Sequence, residues 1–208
     1  MAGADPSFSE IHLLRTLLTL HEKPTGRKKL VKLLGVGEGS VRTIIRKLTA
    51  SRYISSSKKG HTLTEKGTEH VEEILAKISR PAETDLGGIV GGHQSLIIVY
   101  GAAAKTGSPV VFRDAALKAG ADGALILTHN HTYRLPGVDL NNYPETLKKL
   151  KKIPAGDGDA LVVVFAQTPQ KAEDGALAAA LEILKKTGDQ PTLPETPNPQ
   201  SHLRFPGR

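Results

Sequence analysis

The chain has 208 residues and a formal net charge of +7, with no cysteine, no tryptophan, and four each of tyrosine and phenylalanine. Disulfides, thiolate zinc sites and cysteine nucleophiles are thereby excluded, and the scarcity of aromatic rings disfavours a base-stacking platform for single strands. No apolar run reaches the roughly 18 residues that a membrane span needs, and the opening MAGADPSFSE lacks a basic, apolar leader pattern, so a cytoplasmic protein with no membrane contact is expected.

The charge is unevenly placed. Residues 1–80 hold 15 Lys+Arg against 8 Asp+Glu, whereas residues 81–208 hold 13 of each. Within 26–59 ten basic side chains face a single acid, Glu38. A basic run is often only a solvated face, but concentration in one short segment is the electrostatic footprint of a nucleic-acid partner.

In chain order, SEIHLLRTLLTLHE carries a wide leucine stripe with Ser9 as its N-cap, which suits a helix packed on two sides, for instance against its own domain and a partner subunit. GRKKLVKLL follows as a second helix capped by Thr25 and burying Leu30, Leu33 and Leu34. A third helix from about Ser40 places Val41, Ile44, Ile45 and Leu48 on one face and Arg42, Thr43, Arg46, Lys47 and Ala50 on the other. Two short β-prone runs, Tyr53–Ser56 and His61–Leu63, then flank a Lys58-Lys59-Gly60 turn, and a last helix opens at Thr64 with Val71, Ile74, Leu75 and Ile78 inward.

Gly35, Gly37 and Gly39 in GVGEG admit two readings. A phosphate-binding loop would follow a strand inside a βαβ unit with G-x-G-x-x-G spacing. Here the glycines follow a helix with G-x-G-x-G spacing and no Gly-Lys-Ser/Thr after them, so they are read as the turn between helices two and three. Helix, helix, turn, helix, basic hairpin, helix is the order of a winged helix-turn-helix. LTEKG resembles the Leu-Thr-x-x-Gly that starts the last helix in many winged-helix transcription regulators, and GEGSVRTIIRKL resembles the turn and recognition helix of archaeal regulators.

Beyond RPAETDLGGIVGGH, read as a linker over 81–92, SLIIVYGA forms a buried strand and AKTGSP a loop with Ser108 as N-cap and Pro109 at the first helical position. A helix VVFRDAALKAG, two strands in ALILTHNHTYRL folded about His129–Asn130, an amphipathic helix over 143–152, a strand over 160–167 and an Ala-rich helix complete the order. This is βαββαβ with one extra helix, the ferredoxin-like pattern. The expected fold is therefore α+β, with a winged helix-turn-helix over 1–80, a ferredoxin-like domain over 93–188 and a Pro-rich disordered tail over 189–208.

Chemistry is sparse in the second half. His129 and His131, with His93 as a third ligand, could hold a metal, but across a tight turn they need not share a face, and exposed turn histidines with no metal are expected. Asp157 and Asp159 are read as turn formers. Lys105, Thr106 and Ser108, with Arg113 one turn into the helix, are candidates to capture a small anionic effector at a helix N-terminus. No catalytic arrangement and no cofactor are expected.

Over residues 10–190 the chain resembles archaeal predicted transcriptional regulators with an N-terminal winged helix and a C-terminal domain of unknown function, through GVGEGSVRTIIRKL, RDAALKAGADGALIL and DGDALVVVFA. The resemblance implies transcriptional regulation and supplies no ligand or catalytic residue. Archaeal riboflavin kinases that use CTP are the alternative, joining a winged helix to a small β-barrel, and an RNA-associated adaptor is a third class. The expected partners are double-stranded DNA and a second copy in a homodimer. Arg42, Thr43, Arg46 and Lys47, opened by Ser40, face the groove, while Arg27, Lys28, Lys29, Lys58 and Lys59 hold phosphates.

Overall fold

The computed structural model describes residues 8–189 and 191. The expected disordered tail lies, apart from Asp189 and Pro191, outside the described residues. The protein is α+β: a mainly helical N-terminal region precedes a five-stranded antiparallel sheet.

The first region runs α1 (Glu10–Glu22), α2 (Arg27–Leu34), α3 (Glu38–Ala50), β1 (Ile54–Ser57), β2 (Gly60–Leu63) and α4 (Glu65–Leu75). Ser9 caps α1, and its backbone N–H donates to His12 Nδ1 at 3.1 Å. The leucine stripe of α1 is buried as its width predicts, and α7 of the same chain (Pro169–Thr187) is among the elements packed against α1. Thr25 does not cap α2. Gly26 holds that position, and buried Thr25 exchanges both backbone hydrogen bonds with His61 (3.1 and 3.0 Å), docking β2 against the α1–α2 connection.

The glycines of GVGEG serve different ends. Gly35 closes α2 at φ +70°, a left-handed conformation that costs most side chains about 1–2 kcal/mol, and its N–H donates to Val31. Gly37 is the N-cap of α3, and Gly39 sits in the first turn with open space where a Cβ would point. The turn reading of the sequence is the observed one. The Leu-Thr-x-x-Gly stretch has an equally local cause: Thr64 Oγ1 accepts from Gly67 N–H at 3.1 Å, and a Cβ on Gly67 would lie 2.0 Å from the Tyr53 carbonyl oxygen.

The second region comprises β3 (Ala82–Thr84), β4 (His93–Val99), α5 (Val110–Lys118), β5 (Gly123–Asn130), β6 (Thr132–Arg134), α6 (Pro144–Leu150), β7 (Ala160–Ala166) and α7. The strand order is β3-β4-β7-β5-β6. β7 and the second half of β4, Leu96–Val99, are continuous apolar runs because both of their faces are covered. Ala160, Val162, Val164 and Ala166 join the main core with α5 and α7, whereas Leu161 and Val163 join a smaller core on the face that carries α6. The main core continues without a break into α1, α2, α3 and α4.

Four expectations are corrected here. The segment read as linker contributes edge strand β3, whose Ala82, Glu83 and Thr84 pair with Leu96, Ser95 and Gln94, and it buries Leu86 completely. The ferredoxin-like order is not formed: β4 and β5 run parallel with β7 between them, where a ferredoxin-like split βαβ would place the hairpin strand that follows β5. Hairpin strand β6 is instead an outer edge. The sheet is also open, with edges at β3 and β6, and is not the barrel that the kinase alternative requires. Ser108 does not cap α5; Pro109 stands at the N-cap, with no side chain bonding the first turn.

Candidate nucleic-acid interface

α2 begins with three exposed cations because its inner positions, Leu30 and Leu34, fall three and seven residues after Arg27 and leave Arg27, Lys28 and Lys29 outside the stripe. The same spacing on α3 buries Val41, Ile44 and Leu48 and turns Arg42 and Arg46 outward, one helical turn apart. These two helices and β2 enclose an open cleft of about 520 Å³, lined by Arg27, Lys28, Lys29, Arg42, Ile45 and His61.

Glu38 organises the cleft. Its Oε1 lies 3.1 Å from Arg27 Nη2 and 3.8 Å from Arg42 Nη2, so one carboxylate oxygen holds guanidinium groups from two helices. Burial, with help from the neighbouring Arg27 charge, lowers the pKa of His61 and keeps its ring neutral near pH 7. Sequence reasoning placed His61 only in a strand; in so short a run, alternation does not reveal which face meets the cations.

The remaining residues are deployed unequally. Lys58 and Lys59 are exposed at the β1–β2 turn, where Ser57 Oγ accepts the Lys59 backbone N–H at 3.2 Å. The Thr43 hydroxyl donates back to Gly39 O at 3.1 Å. Lys47 is half-buried, with Nζ 5.1 Å from the Phe8 ring centre, and burial followed by the nearby Arg46 charge lowers its pKa. Ser40 is half-buried in the first turn of α3. Lys66, which sequence reasoning left aside, donates to the Ser51 carbonyl at 3.2 Å and lies over the Tyr53 ring, tying the start of α4 to the α3–β1 connection.

The second-half candidates do not converge. Thr106 is buried with its hydroxyl on Ala103 O at 2.9 Å, whereas Lys105, Ser108 and Arg113 are exposed. His131 takes the left-handed turn position at φ 59°, and Asp157 binds it (Nδ1–Oδ2 2.7 Å) and approaches His129 (3.5 Å). His93 sits at the opposite end of the sheet, since it pairs with Ala166 whereas Thr128 pairs with Ala160. Among the described residues no three His, Asp or Glu side chains are placed to hold a metal. Asp159 accepts from the N–H groups of Gly101 (2.9 Å) and Gly156 (2.8 Å), a turn-forming role. Among the described residues no helix is long and apolar enough to cross a membrane.

Residues 12–69 match the family model described as "PH0730-like, N-terminal domain", and residues 90–183 match "Domain of unknown function (DUF4443)". No curated protein matches the chain. Among solved structures, hypothetical protein PH0730 from Pyrococcus horikoshii OT3 is 32% identical over 86% of this chain and 95% of that one, with a TM-score of 0.70. This end-to-end similarity places the chain, in which a PH0730-like N-terminal domain precedes a DUF4443 domain, in the family of PH0730.

Proposed function

We propose that the protein is a transcriptional regulator that reads duplex DNA with a winged helix formed by α1 to α4 and the β1–β2 hairpin. The observation that supports this reading most directly is the Glu38 carboxylate held between Arg27 and Arg42, beside a cleft whose lining includes Arg27, Lys28, Lys29 and Arg42 and no acid. A carboxylate there stands where a DNA phosphate would bind, because both present oxygens to forked guanidinium donors. In this reading α3 enters the major groove with Arg46 toward base edges, and Arg42, the first turn of α2 and the tip of the hairpin grip phosphates. The second region serves as an effector-sensing or dimerisation domain. Pairing two copies about a two-fold axis would double the contacts that one winged helix makes to a short site.

The test is fluorescence anisotropy on the full chain across a salt series, with a labelled duplex from the region upstream of its own coding sequence and a scrambled duplex of equal length. Steeply salt-dependent binding that prefers the native duplex is the expected result. No binding to either duplex at low salt would overturn the reading.

A further inference from the structure

The two faces of the five-stranded sheet are covered unequally. α5, with nine residues, and α7, with nineteen, lie on one face, whereas among the described residues the only α-helix on the other is α6, seven residues long. A helix of that length spans about 10 Å and does not reach across five strands set roughly 4.8 Å apart. The shortfall leaves a cavity of about 980 Å³ between the β5–β6 hairpin, the loop after it, and α6. That volume is at the upper end of the range for small-molecule sites.

The walls are differentiated. Leu135 and Leu140, buried members of the smaller core, form the floor with half-buried Leu147 and Ile153. Tyr133 is fixed as a rigid side: its hydroxyl donates to Ile153 O at 3.3 Å, and its ring stacks on His129 with centroids 4.4 Å apart. The acids nearby are already engaged. Asp139 accepts from the backbone and side-chain nitrogens of Asn141 (3.0 and 2.9 Å), and Asp157 is bound by His131. Two lining cations are not: Arg134 and Lys151 are exposed, and neither side chain has an ion pair or hydrogen bond among the described residues. An apolar floor, an aromatic side and two unengaged cations are complementary to one chemical class.

We infer that the cavity between the β5–β6 hairpin and α6 is a binding site for an amphipathic monocarboxylate, whose apolar body rests on Leu135, Leu140, Leu147 and Tyr133 and whose carboxylate meets Arg134 and Lys151. The site goes beyond the regulator reading and does not depend on it. If the protein binds DNA, this ligand is its effector, in place of an anion at Lys105 and Arg113.

The experiment uses the full chain without DNA, so that its failure is separate from any failure of DNA binding. The probe is 2-naphthoate, with neutral 2-naphthalenemethanol as its uncharged counterpart. Because the protein has no tryptophan, naphthalene fluorescence is read against a dark background. Saturable binding of 2-naphthoate is expected, weakened about tenfold or more by Arg134→Gln with Lys151→Gln, as loss of charge-assisted hydrogen bonds dictates, and unchanged by Lys105→Gln. In 15N-labelled protein the amide shifts should concentrate within residues 128–155. Absence of saturable binding, equal binding of the neutral alcohol, indifference to the Arg134 and Lys151 substitutions, or shifts centred elsewhere would each overturn the assignment. A second copy covering the cavity would appear as a dimer that does not bind 2-naphthoate, and that outcome also overturns it.

Discussion

Arg15 Nη1 lies 3.0 Å from Asp174 Oδ1, a buried ion pair between the first and last helices. The same guanidinium reaches the Glu173 carboxylate and the carbonyls of Leu33 (2.9 Å) and Leu34 (3.4 Å), the last two residues of α2 before the Gly35 turn. α7 also touches that turn through Gln170, whose side chain lies 3.4 Å from the position of a Gly35 Cβ. One arginine thus joins the helix pair of the candidate interface to the C-terminal sheet region. Arg15→Met leaves Asp174 buried without its cation and should cost about 3–5 kcal/mol in urea unfolding. Arg15→Met with Asp174→Leu should recover much of that loss, because the stranded charge is removed as well.

Asp174 also gives stability a pH dependence. Burial raises its pKa from 3.8 to about 6; Glu173 pushes in the same direction, and Arg15 pulls against it by charge and hydrogen bond. An acid whose folded pKa is raised binds more protons folded than unfolded between pH 4 and 6, so its contribution is largest at low pH and is lost as pH rises. The span corresponds to about 3 kcal/mol. His12, whose Nε2 lies 3.6 Å from Asp174 Oδ2, acts oppositely: burial and then Arg15 lower its pKa, so its contribution is lost as pH falls through the folded value. The difference in urea stability between Asp174→Asn and the parent protein isolates the acid. The parent should lose stability relative to the variant from pH 4 to 6, and a flat difference would show that Arg15 offsets the burial.

Two glycines separate packing from propensity. A Cβ on Gly67 would lie 2.0 Å from the Tyr53 carbonyl oxygen, a backbone atom that cannot swing aside. Gly67→Ala should therefore lower stability by about 1–3 kcal/mol through overpacking. Gly39 lies inside α3 with nothing near its missing Cβ, so Gly39→Ala should raise stability by roughly 0.5–1 kcal/mol. Thermal unfolding of both variants shows whether the two shifts have opposite sign.

The N-terminal region was legible because its signals are local. Apolar periodicity marked each helix, and Thr64 with Gly67 and the Lys58-Lys59-Gly60 turn carried their own geometry. Where pairing is long-range, the sequence was silent. Ala82, Glu83 and Thr84 form a strand only because the exposed edge of β4 offers them partners, and nothing local distinguishes them from a linker. β7 lies between β4 and β5 because its two faces meet separate cores, a fact spread over strands 60 residues apart in the chain. Arg15 stood as one cation inside a leucine stripe, and its acids lie more than 150 residues away. The same limit applied to the site: Arg27, Lys28 and Lys29 were visible as charge, whereas the bridging role of Glu38 depends on how α2 meets α3.

Glu38→Gln tests whether the cleft receives phosphate. The substitution frees Arg27 and Arg42 and removes the only acid in the basic segment. Affinity for duplex DNA should rise several-fold in anisotropy titrations, since an exposed pair gives up only about 0.2–1 kcal/mol when broken. Stability should fall by a few tenths of a kcal/mol, because an acid in the first turn of a helix favours its N-terminus. Opposite movements of affinity and stability are expected of a carboxylate that occupies a phosphate position; loss of both would make Glu38 a structural clamp only.

Arg46→Ala and Lys58→Ala should fail in different ways. Arg46 projects from α3 one turn beyond Arg42, and a bidentate contact to guanine from that position is worth about 1–3 kcal/mol against a wrong base. Its removal should weaken the native duplex more than the scrambled one. Lys58 sits at the tip of a hairpin whose strand residues Ser55, Ser56 and Ser57 are exposed and short, so it reaches a phosphate more readily than a base edge. Its removal should weaken both duplexes equally and flatten the slope of log affinity against log salt by about one unit. If both substitutions produce the same uniform loss, α3 lies along the backbone and not in the groove; if neither changes binding, the interface lies elsewhere on the molecule.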